Sequence, residues 1–162
     1  MESVIIGVGS NLGERLQILQ QAGTFLETLS SGLIKKASIW ESEPIGPSKF
    51  SFLNTVAKIE TEKSPAKLLR SLKEFEQDMG REKNPERWGP RILDLDIIAF
   101  GDLVIQKENL IIPHSEYRRR LFVLLPLQEI EAEWMDPSTQ TLISDMVTKA
   151  PNMQIHKTDH TW

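Results

Sequence analysis

Residues 87–101 read RWGPRILDLDIIAFG. The apolar run from Ile92 to Phe100 predicts a buried β-strand, yet Asp94 and Asp96 interrupt it at a spacing of two. Alternation along a strand turns Ile92, Asp94, Asp96 and Ile98 to one face and Leu93, Leu95, Ile97 and Ala99 to the other, which reads as core. The first face then carries two like charges about 6 to 7 Å apart, which costs stability unless a cation, a proton or an arginine lies between them.

The same strand completes the order of elements. VIIGVGS, 4–10, is a β-branched run closed by Gly9 and predicts a strand. Asn11 follows as an N-cap with Glu14 three residues on, and Leu16, Leu19, Gly23, Leu26 and Leu29 recur at helical spacing until Gly32. LIKKASIWESE, 33–43, predicts a second strand with Ile34, Lys36, Ser38 and Trp40 on one face. FSFLNTVAKIETE, 50–62, predicts a third with Leu53, Ala57 and Ile59 on the buried side, and the two pair as a hairpin around the turn-rich PIGPSK. Ser64 and Pro65 start a second helix that runs to Gly80. With the Asp-Leu-Asp strand, ended by Gly101, the order is strand, helix, strand, strand, helix, strand. That is an α+β chain with the ferredoxin-like split βαβ arrangement, an antiparallel sheet with two helices on one face. LVIQ and LIIP then read as short strands, residues 117–130 as a C-terminal helical addition, and the rest as a lightly structured tail. There is no repeat or linker, so a single domain over 1–162 is expected.

Composition narrows the function classes. No apolar run reaches the eighteen or so residues of a membrane helix, MESVIIGVGS lacks the pattern of a secretory signal, and the chain has no cysteine, so the expected compartment is the cytoplasm. A net charge of −4 argues against nonspecific nucleic-acid binding. Positive charge is nonetheless concentrated in two places, Arg81, Lys83, Arg87 and Arg91 and then Arg118, Arg119 and Arg120, which suits a small polyanion.

Asp94 and Asp96 have two readings. They pair with Arg87 and Arg91 at a strand end, or they hold a hard cation such as Mg²⁺, which takes one or two carboxylates and leaves other positions to water and phosphates. In the second reading nearby arginines fork onto phosphate oxygens. Glu76 falls with Leu69, Leu72 and Met79 on the core stripe of the second helix, so it is a buried acid in need of a partner unless that helix end is exposed. Asn54 lies inside the third strand opposite the core stripe, where it is either structural or reads the lactam or amidine edge of a heterocycle, with Phe52 stacking on the ring. His114, between a proline and an arginine run, caps or packs, or donates to a phosphate oxygen. His156 and His160 in the polar tail make a poor metal site. GVGSNLG resembles a phosphate loop only faintly and reads as a tight turn.

Taken together these residues resemble the 6-hydroxymethyl-7,8-dihydropterin pyrophosphokinases of folate synthesis. The likeness runs from GSNLG through ESEPIGP, FLN, G-R-x-K and RWGPRILDLDII to IPH and RRRLFVLLPLQEI. The resemblance implies transfer of the β,γ-pyrophosphoryl group of ATP to the pterin hydroxymethyl oxygen, with AMP as second product and two Mg²⁺ ions required. It implies that Asp94 and Asp96 hold metal and, with Arg81 and Arg91, form the catalytic set. Asn54 would read the pterin, Phe52 and Phe122 would sandwich it, and Ser42, Glu43 and Ile45 would line its edge. Lys83, His114 and Arg120 would contact phosphates, Trp88 would belong to a closing loop, Glu76 would lie near the nucleotide, and Ile98, Leu110 and Ile111 would receive adenine. Ser42, Glu43, Phe52, Lys83, Asn109 and Ser115 depart from the residues common in the family. A monomer is expected, with ATP and 6-hydroxymethyl-7,8-dihydropterin as partners and neither nucleic acid nor membrane. A noncatalytic ferredoxin-like module with a structural cation is the alternative, and RNA binding on the sheet would need exposed aromatics that the acidic face lacks.

Overall fold

A computed structural model describes residues 1–44, 50–80 and 92–162 of the chain. The element order is β1 (Glu2–Ser10), α1 (Arg15–Leu29), β2 (Lys35–Lys36), β3 (Trp40–Ser42), β4 (Phe52–Thr61), α2 (Pro65–Asp78), β5 (Asp94–Phe100), β6 (Ile105–Lys107), β7 (Leu110–Ile112), α3 (Leu121–Ile130), α4 (Ile143–Lys149) and β8 (Ile155–Lys157). The main sheet is antiparallel in the order β5-β1-β4-β3-β8, with β2 also on β4, and β6 and β7 form a separate hairpin.

Two apolar layers cover the sheet. One face presents Val4, Ile6, Val8, Leu53, Ala57, Ile59, Leu93 and Leu95 to Leu19, Leu26, Leu68 and Leu72 of α1 and α2. The other presents Ile5, Val56 and Ile98 to Tyr117, Leu124 and Leu127 at α3 and to Ile143 and Met146 of α4. Each fully buried leucine here contributes roughly 1.5 to 3 kcal/mol relative to exposure. Helix α2 starts as its sequence predicts: the Ser64 hydroxyl accepts from Lys67 N and Pro65 takes the first turn.

Several boundaries differ from expectation. Helix α1 begins at Arg15 with Glu14, not Asn11, at the N-cap position, because the chain first turns at Gly13 (φ 76°). Gly9 does not close β1, which pairs through Ser10. The second strand is broken into β2 and β3, with Ala37 and Ile39 buried between and beside them. The helix expected over 117–130 is interrupted at Arg120, whose backbone is extended between a 3-10 turn (Tyr117–Arg119) and α3. The tail is more ordered than its polarity suggests, since it supplies α4 and the edge strand β8. Finally, a bulge between β1 and β5 pairs Ile5 with Ala99 and Ile6 with Ile97, so Ala99 joins Ile98 in the second layer rather than Leu93, Leu95 and Ile97 in the first.

Candidate active site

At one end of the face that α3 and α4 pack against, strand register assembles a row of polar groups. On β1, Gly9 pairs with Asp94 of β5 on one side and with Asn54 of β4 on the other, and Asn54 in turn pairs with Trp40 of β3. One step along, Gly7 pairs with Asp96 and Val56. Alternation puts Gly7 and Gly9 on the same face as Ile5, so between the carboxylates and the asparagine the floor carries no side chain. Neither position has room for a larger residue: a Cβ on Gly9 would lie 2.8 Å from Asn54 Oδ1, and one on Gly7 3.2 Å from Ile98 Cδ1. These glycines were the sequence signal passed over, two small residues at i and i+2 in a strand that also had to face an Asp-x-Asp pair.

Asn54 is buried and its amide is oriented: Nδ2 donates to Ser42 Oγ at 3.0 Å, which leaves Oδ1 over the Gly9 floor. Ser42 is buried too and pairs with Phe52 across the β3–β4 ladder. Phe52 shares the face of Asn54, and Phe122 of α3 packs at the border of the layer above it, with the Arg120 guanidinium 5.6 Å from its ring. Glu43 gives its backbone N–H to Gln154 O at 3.0 Å, tying the end of β3 to the tail.

Asp94 and Asp96 are half-buried, and the Asp96 side chain is 39% exposed. Beside them, Glu76 is buried to 1% exposure, as its place on the core stripe predicts. Its Oε1 accepts the Leu95 backbone N–H at 2.6 Å, while Lys73 Nζ donates to Glu76 Oε1 at 3.1 Å and to Leu95 O at 3.2 Å. Since β5 is an edge strand, α2 supplies side chains where a further strand would otherwise bond. Lys73 Nζ also stands 3.9 Å from Asp96 Oδ1. Lysine 73 was not among the residues expected to matter.

His114 is anchored to β5 by its backbone N–H, which donates to Ile98 O at 2.9 Å, and its Nδ1 accepts from Glu116 N at 3.0 Å. Burial holds its pKa below the usual 6.5 against the opposing pull of Asp96. The neutral ring therefore keeps its proton on Nε2, as a donor. The three residues expected to receive adenine lie in different surroundings: Ile98 is in the second layer, Leu110 packs against the first, and Ile111 lines an open groove of about 530 Å³ with Val104, Gln106, Ser115, Arg118 and Ser138. Ile45, Arg81, Lys83, Trp88 and Arg91, with the rest of the arginine-rich loop, lie outside the described residues.

Two carboxylates projecting from a rigid strand over a side-chain-free floor suit a hard cation, which would complete its shell with water and phosphate. Among the described residues no group of three or more metal-ligating side chains is preassembled. None of the described helices is long and apolar enough to cross a membrane.

Residues 5–132 match the model of the 7,8-dihydro-6-hydroxymethylpterin-pyrophosphokinase family. A 2-amino-4-hydroxy-6-hydroxymethyldihydropteridine pyrophosphokinase of Haemophilus influenzae is 41% identical over 91% of this chain and 92% of its own length. Its counterpart in Bacillus subtilis is 41% identical over 77% of this chain and 75% of its own. Among solved structures, a Plasmodium falciparum HPPK-DHPS with pterin and p-hydroxybenzoate superposes with a TM-score of 0.71 at 16% identity, over 91% of this chain and 43% of that one. This chain thus spans less than half of that longer protein, and the likeness there is one of fold. With the family model matched over most of the sequence and a relative aligned along nearly its whole length, the chain belongs to the 7,8-dihydro-6-hydroxymethylpterin-pyrophosphokinase family.

Proposed function

We propose that this protein transfers the β,γ-pyrophosphoryl group of ATP to the hydroxymethyl oxygen of 6-hydroxymethyl-7,8-dihydropterin, releasing AMP, with two Mg²⁺ ions bound in part by Asp94 and Asp96. The reaction class follows from family membership: the chain is a pyrophosphokinase of folate synthesis, and the noncatalytic module is not favoured by relatives that are named as pyrophosphokinases. The observation that carries the finer reading is the row Asp94, Gly9, Asn54. Two strand spacings, roughly 9 to 10 Å, separate the carboxylate strand from the asparagine strand. That span accommodates a two-ring heterocycle lying on the glycine floor with its one-carbon arm toward the carboxylates.

In this reading Asn54 Oδ1 accepts from the ring's N–H edge, in an orientation held by Ser42, while Phe52 and Phe122 stack on the two ring faces. His114 Nε2 and the Arg120 guanidinium donate to phosphate oxygens, along with Arg81, Lys83 and Arg91 from the loop. Bound Mg²⁺, held in part by Asp94 and Asp96, would supply positive charge that offsets the charge developing on the phosphates. The hydroxymethyl oxygen forms the new bond to the β-phosphorus, the bond from that phosphorus to the α,β-bridging oxygen breaks, AMP leaves, and the alcohol proton passes to a carboxylate of the pair. No covalent protein nucleophile is needed, because positioning and charge stabilisation dominate such transfers. Glu76 acts near the nucleotide, the chain at Ile98, Leu110 and Ile111 borders adenine without the three side chains sharing one face, and Ser42, Glu43 and Ile45 border the pterin.

The order β5-β1-β4-β3 with α1 and α2 on one face supports the split βαβ reading of the fold. We read residues 1–162 as one pyrophosphokinase domain, a cytoplasmic monomer. The test is direct: with ATP, Mg²⁺ and 6-hydroxymethyl-7,8-dihydropterin, AMP accumulates in step with pterin consumption. Formation of ADP and a pterin monophosphate would overturn the assignment.

A further inference from the structure

Lys73 stands one turn before Glu76 on α2, and among the described residues its ammonium has three oxygen neighbours: Glu76 Oε1 at 3.1 Å, Leu95 O at 3.2 Å and Asp96 Oδ1 at 3.9 Å. The first two are hydrogen bonds, and the third is an ion-pair contact beyond hydrogen-bond distance. Two of the contacts are fixed by the fold. Glu76 is clamped by the Leu95 N–H and by burial, and Leu95 O belongs to the edge of a rigid strand. Those two hold the ammonium within ion-pair reach of the next carboxylate along the strand, with the lysine side chain itself 41% exposed. A positive charge stationed there lowers the mutual repulsion of Asp94, Asp96 and Glu76 and opposes the arrival of any other cation at Asp96.

We propose that Lys73 is the resident counter-cation of the carboxylate site, a positioning residue that holds Glu76 and Asp96 at the edge of β5 in the ligand-free protein and competes with a divalent cation for Asp96. The inference rests on the reading of Asp94 and Asp96 as a metal-binding pair. It implies an antagonism between fold stability and metal affinity at one side chain. Lys73→Met keeps the apolar stem and removes the charge, so the metal-free protein loses stability while the site binds a divalent cation more tightly. Lys73→Arg keeps the charge and restores wild-type behaviour in both respects.

Mn²⁺, titrated alone and followed by the electron paramagnetic resonance of the free ion, tests this on the full chain, alongside thermal melts with and without Mg²⁺. Lys73→Met is expected to tighten Mn²⁺ by about three- to tenfold, to melt lower without metal and to show a larger rise on adding Mg²⁺. Lys73→Gln makes the same comparison should the methionine variant fail to fold. Unchanged or weaker Mn²⁺ binding by the neutral variants, while Asp96→Asn weakens it, would overturn the counter-cation role and leave the metal pair standing. Equal Mn²⁺ binding by wild type and Asp96→Asn would remove the metal pair and the inference with it.

Discussion

The chain holds its acids in two opposite ways. Asp136 is fully buried and saturated: it accepts from Arg118 Nε at 2.6 Å, from the Tyr117 hydroxyl, from Ser138 N and Oγ at 2.7 and 2.8 Å, and from Thr139 N at 3.1 Å. Burial pushes its pKa up, but the bonds from Arg118, Tyr117 and Ser138 prevail and hold it well below the usual carboxylate range, while burial and the Asp136 carboxylate raise the Tyr117 hydroxyl. Asp96 is half-exposed over a glycine floor, and its ion-pair partner among the described residues is Lys73 at 3.9 Å. A carboxylate whose lone pairs are all met by protein donors works as a bolt, here fastening the 3-10 turn between His114 and Arg120 to the 136–141 loop. A half-exposed carboxylate, with a lysine at ion-pair distance, retains capacity for a ligand.

The contrast breaks first at the bolt. Asp136→Ala leaves Arg118 and Tyr117 without their shared acceptor and is expected to cost about 3 to 5 kcal/mol of stability, read by denaturant unfolding. Turnover per folded molecule should fall far less than in the site variants. Asp94→Asn and Asp96→Asn should behave inversely, with initial rates down by at least about a hundredfold and stability within about 1 kcal/mol of wild type. Clear destabilisation with near-normal turnover would make these aspartates bolts as well.

A smaller effect belongs to the floor. Asn54→Ala should weaken pterin by roughly tenfold to a hundredfold with ATP affinity almost unmoved, measured by calorimetric titration. Gly9→Ala should lower pterin affinity in the same direction although it keeps the Asn54 side chain, because the new methyl group forces Oδ1 aside. If ATP weakens as much as pterin in either variant, Asn54 serves the fold and not the ring. The smallest effect is in acid. Asp136 binds its proton more weakly folded than unfolded, so its contribution is complete above its ordinary pKa of 3.8 and drains away as pH falls below that value. Melts across pH 2 to 5 should show a shallower acid decline in Asp136→Asn than in wild type.

The order of elements, the start of α2 at Ser64 and Pro65, and the site's polar residues were legible because each rests on local chemistry: period two or period 3.6, a cap, a proline at N1, charges in an apolar run. Glu76 was legible for the same reason, as an acid on a core stripe. What escaped depended on neighbours distant in sequence. Asn11 looks like a cap, yet the cap position goes to Glu14 once Gly13 turns the chain. Ala99 looks like core of the first layer until the bulge against Ile5 moves it to the second. The polar tail carries little periodicity, but β8 gains its order from pairing with β3.

By itself, then, the sequence determined the α+β class, the family through its Trp-Gly-Pro and Asp-Leu-Asp motifs, and which side chains bring chemistry, since these follow from residue type and short spacing. Only the tertiary structure decided how those groups meet. Strand register, set by pairing between segments distant in sequence, such as Gly9 with Asp94, and by packing on two faces, places a bare glycine floor between the aspartates and Asn54. The approach of α2 to the edge of β5 brings Lys73 and Glu76 to Leu95 and Asp96. Charges that cost energy in an isolated strand are tolerable because the fold brings a lysine to the same spot and leaves both carboxylates only half-buried, and no local pattern encodes that coincidence.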